Sequence, residues 1–255
     1  MKSTTQREVM PPSISIVTAT LNSERELPRL FDSLHAQSDR KFEHVVVDGG
    51  SVDGTWSIVE SHRDVVTYAI TEPDNGVYDA LNKGIRAANS DYYLVMGADD
   101  VLFPDAIAEY KEILSATDAD VVVAAVRAGS EIRRGFHPRR AWLGHSGMVT
   151  SHSVGMLIRK SLHRRFGYYS PKYSLMADGY FIKRVCTSVD VKVVPAEFVS
   201  GEFGVQGMSN RQLARAMCES WQVQLDTGEN PLIQYLLFQY RLIRYLPKLL
   251  RRTSR

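Results

Sequence analysis

Cysteine is nearly missing: Cys186 and Cys218 are the only two thiols in 255 residues. They allow neither a disulfide framework nor a cysteine zinc site, and they fit a reducing compartment. Net charge is nearly missing as well, since 31 Lys and Arg stand against 29 Asp and Glu for a balance of +2. That balance excludes a protein whose whole surface grips nucleic acid. No apolar run reaches the ~18–20 residues that carry a helix across a bilayer. The opening MKSTTQREVMPPS has no apolar stretch before a small-residue cleavage site, so export by a signal peptide is not expected. G-x-x-x-x-G-K-[ST] and a strand-linked G-x-G-x-x-G are both lacking, which removes P-loop and dinucleotide-binding readings.

What is there is an ordinary globular mixture, 44% hydrophobic and 24% charged, enough for one large or two modest domains. Short β-branched runs at 13–19, 42–47, 65–70 and 92–96 read as strands. Between them, 24–35 behind a cap at Asn22 or Ser23, 55–61 and 77–88 have helical spacing. Such alternation predicts an α/β fold with a mainly parallel sheet flanked by helices. Further on, 103–114 reads as a helix and 121–126 as a strand. Residues 127–140 hold five arginines and predict a hairpin or loose loop. Segments 148–159 and 191–195 read as strands, and 178–185 and 209–225 as helices. The later half is expected to add a layer to the same sheet, with boundaries at 13–126, 127–225 and 226–255.

In an open α/β sheet, ligands sit beyond the carboxyl ends of the strands. Polar residues crowd there: Thr18, Thr20 and Asn22 after the first strand, Asp48 to Asp53 after the second, Glu72 to Asn75 after the third, Asp99 and Asp100 after the fourth. Any one of them suits a turn or a cap, but their joint occurrence points to a ligand edge. Two adjacent carboxylates suit a hard divalent cation completed by diphosphate oxygens and water. Trp142, beside the arginine-rich stretch, is the tryptophan best suited to stack on a sugar.

IVTATLN, VVVDGGSVDGT, TEPDNGVYDALNKGIRAANSDYYLVMGADD, TSHSVGMLIRKSL, YSLMADGYFIKRV and FGVQGMSN together resemble the ordered motifs of family 2 glycosyltransferases, over about residues 13–210. The resemblance implies a GT-A fold and an inverting transfer of sugar from a nucleotide-sugar, with UDP the favoured base. A polysaccharide or glycolipid hydroxyl would accept it, with Mn²⁺ or Mg²⁺ as cofactor. It implies Thr18, Thr20, Asn22 and Glu24 around the nucleotide, Asp48 at the base, and Asp74, Asn82 and Lys83 near the nucleotide-sugar. Metal ligation would fall to Asp99 with Asp100 beside it, general-base work to Asp178, and a diphosphate or acceptor contact to His152. Phe203 to Asn210 resembles the family's closing loop. Two departures stand out: Asp48-Gly49 replaces the usual Asp-Asp, and Gly97-Ala98-Asp99 lacks the first acid of D-x-D.

Those two glycines keep open a non-catalytic sugar-binding or scaffold protein. A nucleotidyltransferase is the other alternative, although the basic glycine-rich loop it needs near the first strand is absent. Residues 231–255 hold six cations and no acid, with Leu232, Leu236, Leu237, Tyr240, Ile243 and Leu250 near helical spacing. Such a tail fits either a helix packed on the catalytic body or an amphipathic element on an anionic membrane surface. The expected location is the cytoplasm, peripheral to the cytoplasmic face of the membrane, where a lipid-linked acceptor is presented.

Overall fold

The β-branched runs form strands of one curled sheet in the computed structural model, which describes residues 12–149, 153–204 and 212–250. β1 (Ile14–Thr20), β2 (Glu43–Asp48), β3 (Tyr68–Thr71) and β4 (Tyr92–Gly97) are all parallel, in the order β3-β2-β1-β4. Their crossovers are α1 (Leu27–His35), α2 (Thr55–Ser61) and α3 (Val77–Ala87). β5 (Val101–Leu102), α4 (Ala106–Ala116) and β6 (Val121–Ala128) follow, and β6 turns into a hairpin with β7 (Glu131–Arg133). The chain then makes a 3₁₀ turn (Pro138–Leu143), α5 (His145–Met148) and a second 3₁₀ turn (Ser153–Gly155) before β8 (Met156–Arg159). α6 (Leu162–Phe166), α7 (Ala177–Cys186), β9 (Val193–Glu202), α8 (Leu213–Asp226) and α9 (Pro231–Leu250) complete it.

Beyond β4 the sheet runs β8-β6-β9-β5, so the later half does add to the same sheet. The expectation of a mainly parallel sheet holds for β1 to β4 and for β6 with β9 only. β8 is antiparallel to both β4 and β6, and β5 to β9. Strands buried on both faces read as plain apolar runs whichever way they point, so this change of direction leaves no trace in the pattern. Segment 148–159 is likewise not one strand: α5 and the second 3₁₀ turn precede four residues of β8. The 191–195 strand instead extends to Glu202, passing Pro195 through a register shift against β6, where a strand tolerates proline. α1 begins at Leu27, not Glu24, because residues 23–26 turn first, with Glu26 and Leu27 donating to the Ser23 carbonyl.

The sheet separates two apolar layers. Ile14, Ile16 and Val46 face Leu30, Phe31, Ile107 and Tyr110 of α1 and α4. The alternating Val17, Val45 and Val47 face Leu81 and Ile85 of α3, with Phe181 and Ile182 of α7 in the same layer. Burying a side chain of this size is worth about 1.5–3 kcal/mol, and that packing fixes the strand ends to which the site is attached.

Candidate active site

Register sets Thr20 of β1 beside Asp48 of β2, and Ala19 beside Gly97 of β4, so three strands end on one edge. At that edge lies a cleft of about 300 Å³. Asp99 and Asp100 enter it from the end of β4 and Asp178 from the first turn of α7, with Tyr78, Ser153 and Gly204 among its other walls. The sequence separation of 79 positions between Asp99 and Asp178 is thus closed by the fold.

The two adjacent acids differ. Asp100 is buried, and its carboxylate gathers three segments: it accepts from the Gly97 N–H at 2.7 Å, the Ser153 hydroxyl at 3.0 Å and the Gly204 N–H at 2.9 Å. Burial pushes its pKa up to about 6 against these donors, with the charge of Asp99 adding to the rise. Asp100 therefore acts first as a brace for the cleft wall beside Asp99. Asp99 is half-buried on the cleft wall, and Gly204 passes so close that a Cβ there would meet its carboxylate at 2.0 Å. Any larger residue there would push the Asp99 carboxylate aside. A carboxylate oxygen is a hard donor suited to Mn²⁺ or Mg²⁺. Among the described residues, no group of three His, Cys, Asp or Glu encloses a metal, so a cation on Asp99 would take most of its oxygens from the diphosphate and water. The site fits such a cation in that form.

Each of the two glycines that depart from the acid pattern lies beside another carboxylate. A Cβ on Gly49 would lie 2.4 Å from Asp74 Oδ2, so the Asp74 carboxylate already fills the space a second acid after β2 would take. A Cβ on Gly97 would lie 3.1 Å from Asp99 Oδ1, so an acid there would crowd a like charge.

Several expected nucleotide contacts are spent on the scaffold. Thr18 is fully buried with its hydroxyl 3.1 Å from His44 Nε2, which takes it out of reach of a ligand. Asp48 is also fully buried, and its carboxylate accepts from Ser51 and Thr71. Asn22, in the left-handed region at φ 48°, accepts from the Val52 N–H, and Glu24 accepts from the Gly54 N–H. Both remain exposed at the rim. The buried Thr20 hydroxyl has no hydrogen-bond partner among the described residues. Asn82 uses both ends of its amide on the Tyr169 backbone, so it clamps α3 to the loop before α7 and keeps one N–H of its amide for another acceptor. Lys83 pairs with Glu72 at 2.8 Å and Asp79 at 3.5 Å. His152 and the stretch 205–210 lie outside the described residues.

Asp178 Oδ1 accepts from the Tyr78 hydroxyl at 2.7 Å and from the Gly179 N–H at 2.7 Å. Burial, reinforced by the Asp178 charge, pushes the Tyr78 phenol well above its ordinary value, so it stays a donor. Sequence reasoning missed Tyr78 and the support behind it. Glu219 of α8 accepts from Ser174 Oγ at 2.7 Å, the Leu175 N–H at 2.7 Å and the Met176 N–H at 3.1 Å, directly ahead of α7. Burial opposes its charge, yet the Ser174 hydroxyl and these N–H groups hold its carboxyl below the usual range. The available signal was an acid on the apolar face that carries Ala216, Met217 and Val223.

Across the wall made by Tyr78, Tyr169 and Leu175 lies a second cavity of about 790 Å³. Arg86, over the Tyr168 ring at 4.2 Å, and Arg184, over Tyr180 at 5.1 Å, line it. Neither guanidinium has a carboxylate partner among the described residues.

The profile of glycosyl transferase family 2 matches residues 15–183. An uncharacterized glycosyltransferase of Mycobacterium tuberculosis is 31% identical over 201 residues, 73% of this chain and 75% of that one. Among solved structures, Staphylococcus aureus TarS 1–349 in complex with UDP-GlcNAc superposes with a TM-score of 0.62 at 19% identity, over 92% of this chain and 73% of that one. The mannosyltransferase PcManGT from Pyrobaculum calidifontis, in complex with GDP-Man and Mn²⁺, gives 0.65 at 18% identity, over 93% and 70%. At such identities the likeness shows the fold, which is the Rossmann-like GT-A arrangement.

Proposed function

The chain belongs to glycosyl transferase family 2 and is a glycosyltransferase; from that premise we propose an inverting enzyme that moves a sugar from a nucleotide-sugar to a saccharide or lipid-linked hydroxyl. The observation that carries this reading is the shared cleft, with Asp99 on one wall and Asp178 on another. Asp178 takes the proton of the acceptor hydroxyl while that oxygen bonds to the anomeric carbon. The bond from that carbon to the diphosphate breaks in the same displacement, and its electron pair leaves with the diphosphate. One in-line displacement inverts the centre and needs no enzyme nucleophile. The Tyr78 hydroxyl and the Gly179 N–H orient the carboxylate, which sits in the first turn of a helix where negative charge is favoured. When bound, a divalent cation on Asp99 neutralises charge developing on the diphosphate.

Donor recognition is assigned to the rim: Asp74 in the space beside Gly49, with the exposed Asn22 and Glu24 next to it. UDP is the favoured nucleotide; of two solved structures of like fold, TarS holds UDP-GlcNAc and PcManGT holds GDP-Man. The acceptor is assigned to the side of the second cavity, where Arg86 and Arg184 suit an acceptor carrying phosphate or carboxylate. Asp178→Asn tests the central claim. It should lower turnover about 10²–10⁴-fold, the usual weight of a positioned base, while donor binding measured by thermal shift with Mn²⁺ stays the same. Unchanged turnover would remove Asp178 from the chemistry.

A further inference from the structure

α9 is docked on one side only. Asn230 caps its first turn by accepting from the Leu232 and Ile233 N–H groups. Gln234, Phe238 and Arg241 then follow on one stripe and hold the helix to the enzyme. Gln234 donates to the Trp142 carbonyl at 2.8 Å, Phe238 stacks on Trp221 with centroids 5.3 Å apart, and Arg241 donates to the Leu143 carbonyl. Docking therefore accounts for the inner face.

The outer face is apolar and open. Of thirteen large hydrophobic side chains exposed among the described residues, seven lie on this one helix, a concentration that marks an interaction surface more than scattered exposure does. Leu232, Leu236, Tyr240 and Ile243 are 75%, 66%, 58% and 73% exposed. Their steps of four, four and three residues put them on a single stripe opposite the docked one. No helix among the described residues is long and apolar enough to cross a membrane.

Charge selects the occupant. Residues 231–255 carry Arg241, Arg244, Lys248, Arg251, Arg252 and Arg255 and no acid. Exposed Arg244 flanks the apolar stripe and has no carboxylate partner among the described residues. The 3₁₀ turn on which the helix docks adds exposed Arg139 and Arg140 and the half-open Trp142, 43% exposed. A second copy of the chain would bring two basic rims together, which is unfavourable. A flat surface with an apolar interior and anionic headgroups matches both properties.

We propose that α9 and the adjoining 3₁₀ turn seat this enzyme on an anionic lipid bilayer, with Leu232, Leu236, Tyr240 and Ile243 in the acyl boundary and the flanking cations at the headgroups. This surface is distinct from the catalytic cleft and does not rest on the assignment of base or metal. The test is sedimentation of the full-length chain with phosphatidylcholine vesicles made with or without phosphatidylglycerol. The wild type should pellet with the anionic vesicles, less so as salt is raised. The double variant Leu236→Gln, Ile243→Gln and, separately, Arg244→Glu should each bind at least about tenfold more weakly. All three substituted side chains are exposed, so thermal midpoints should be unchanged and loss of binding is not loss of fold. Equal pelleting of wild type and both variants overturns the proposal, as does failure of the wild type to bind. A solution dimer that the double variant dissociates, without vesicle binding, assigns the stripe to a second copy and overturns it too.

Discussion

The edge that ends β1, β2 and β4 and the layer built from α7 and α8 hold their polar residues in different ways. At the strand ends, loops are knitted to their neighbours: Asn22 to Val52, Glu24 to Gly54, Asp48 to Ser51 and Thr71. In and against the later layer, single side chains reach across long stretches of chain. Asn82 clamps Tyr169, Glu219 gathers residues 174–176, and buried Lys183 joins Gln224 at 2.8 Å and Glu229 at 2.7 Å. The difference teaches that an acid at a ligand edge is not thereby a ligand. Much of the strand-end polarity fixes backbone, and Asp99 and Asp178 stand at the cleft because other carboxylates, Asp100 and Glu219, hold their surroundings.

Below the loss of turnover expected for Asp178→Asn, the largest effect should come from breaking the long-range clamp. Glu219→Ala leaves the Leu175 and Met176 N–H groups without their acceptor and should cost about 2–3 kcal/mol, read as a lower urea midpoint. It should also lower kcat, because the Leu175 segment borders Asp178. An unchanged midpoint would show that the loop does not depend on this carboxylate.

A pH series compares the two regions directly, since each has one buried histidine among the described residues. Burial pushes His44, between the early strands, down to about 3. It pushes His163, in the later layer, down to about 4 despite its hydrogen bond with the Gly167 carbonyl. Both folded values lie below the unfolded value, so the unfolded chain binds protons first. The stability they contribute is present above about pH 6.5 and is lost as pH falls toward the folded values, by about 2 kcal/mol per histidine between pH 7 and pH 5. Urea titrations at the two pH values should show this fall, and His44→Asn should remove about half of it. A variant as pH-sensitive as the wild type would mean His44 is not held neutral.

The smallest effect sharpens the acceptor side. Arg86 is exposed and its recorded contact is the face of Tyr168, so Arg86→Ala should leave folding alone. Loss of one charge-assisted contact, about 1–1.5 kcal/mol, should raise the acceptor KM about 5–10-fold and leave the donor KM unchanged. An effect on the donor KM alone would move Arg86 to the other substrate.

Helix α2 was legible to the residue at 55–61, and α3 nearly so, because apolar spacing and turn residues are local signals. The cleft was legible as a cluster of strand-end acids, and the family through its ordered motifs. Tyr78 was not, since a tyrosine in an amphipathic helix looks like core until its hydroxyl is seen 2.7 Å from Asp178. Thr18 failed in the opposite sense: alternation along β1 turns it toward His44 in the interior. The tail allowed packing and membrane readings alike, and α9 has a docked face as well as an open one.

By itself the sequence determined the alternation of strands and helices, the gathering of acids at one end of the first four strands, and membership of a glycosyltransferase family. Periodicity, turn chemistry and motif order all depend on residues near one another in the chain. Only the tertiary structure decided the direction of β8, the filling of the space beside Gly49 by Asp74, and which carboxylates are braces. The physical reason is that a buried polar group must find a partner wherever the fold brings one. For Asp100 that partner is Gly204, 104 positions away; for Asp178 it is Tyr78, 100 positions back.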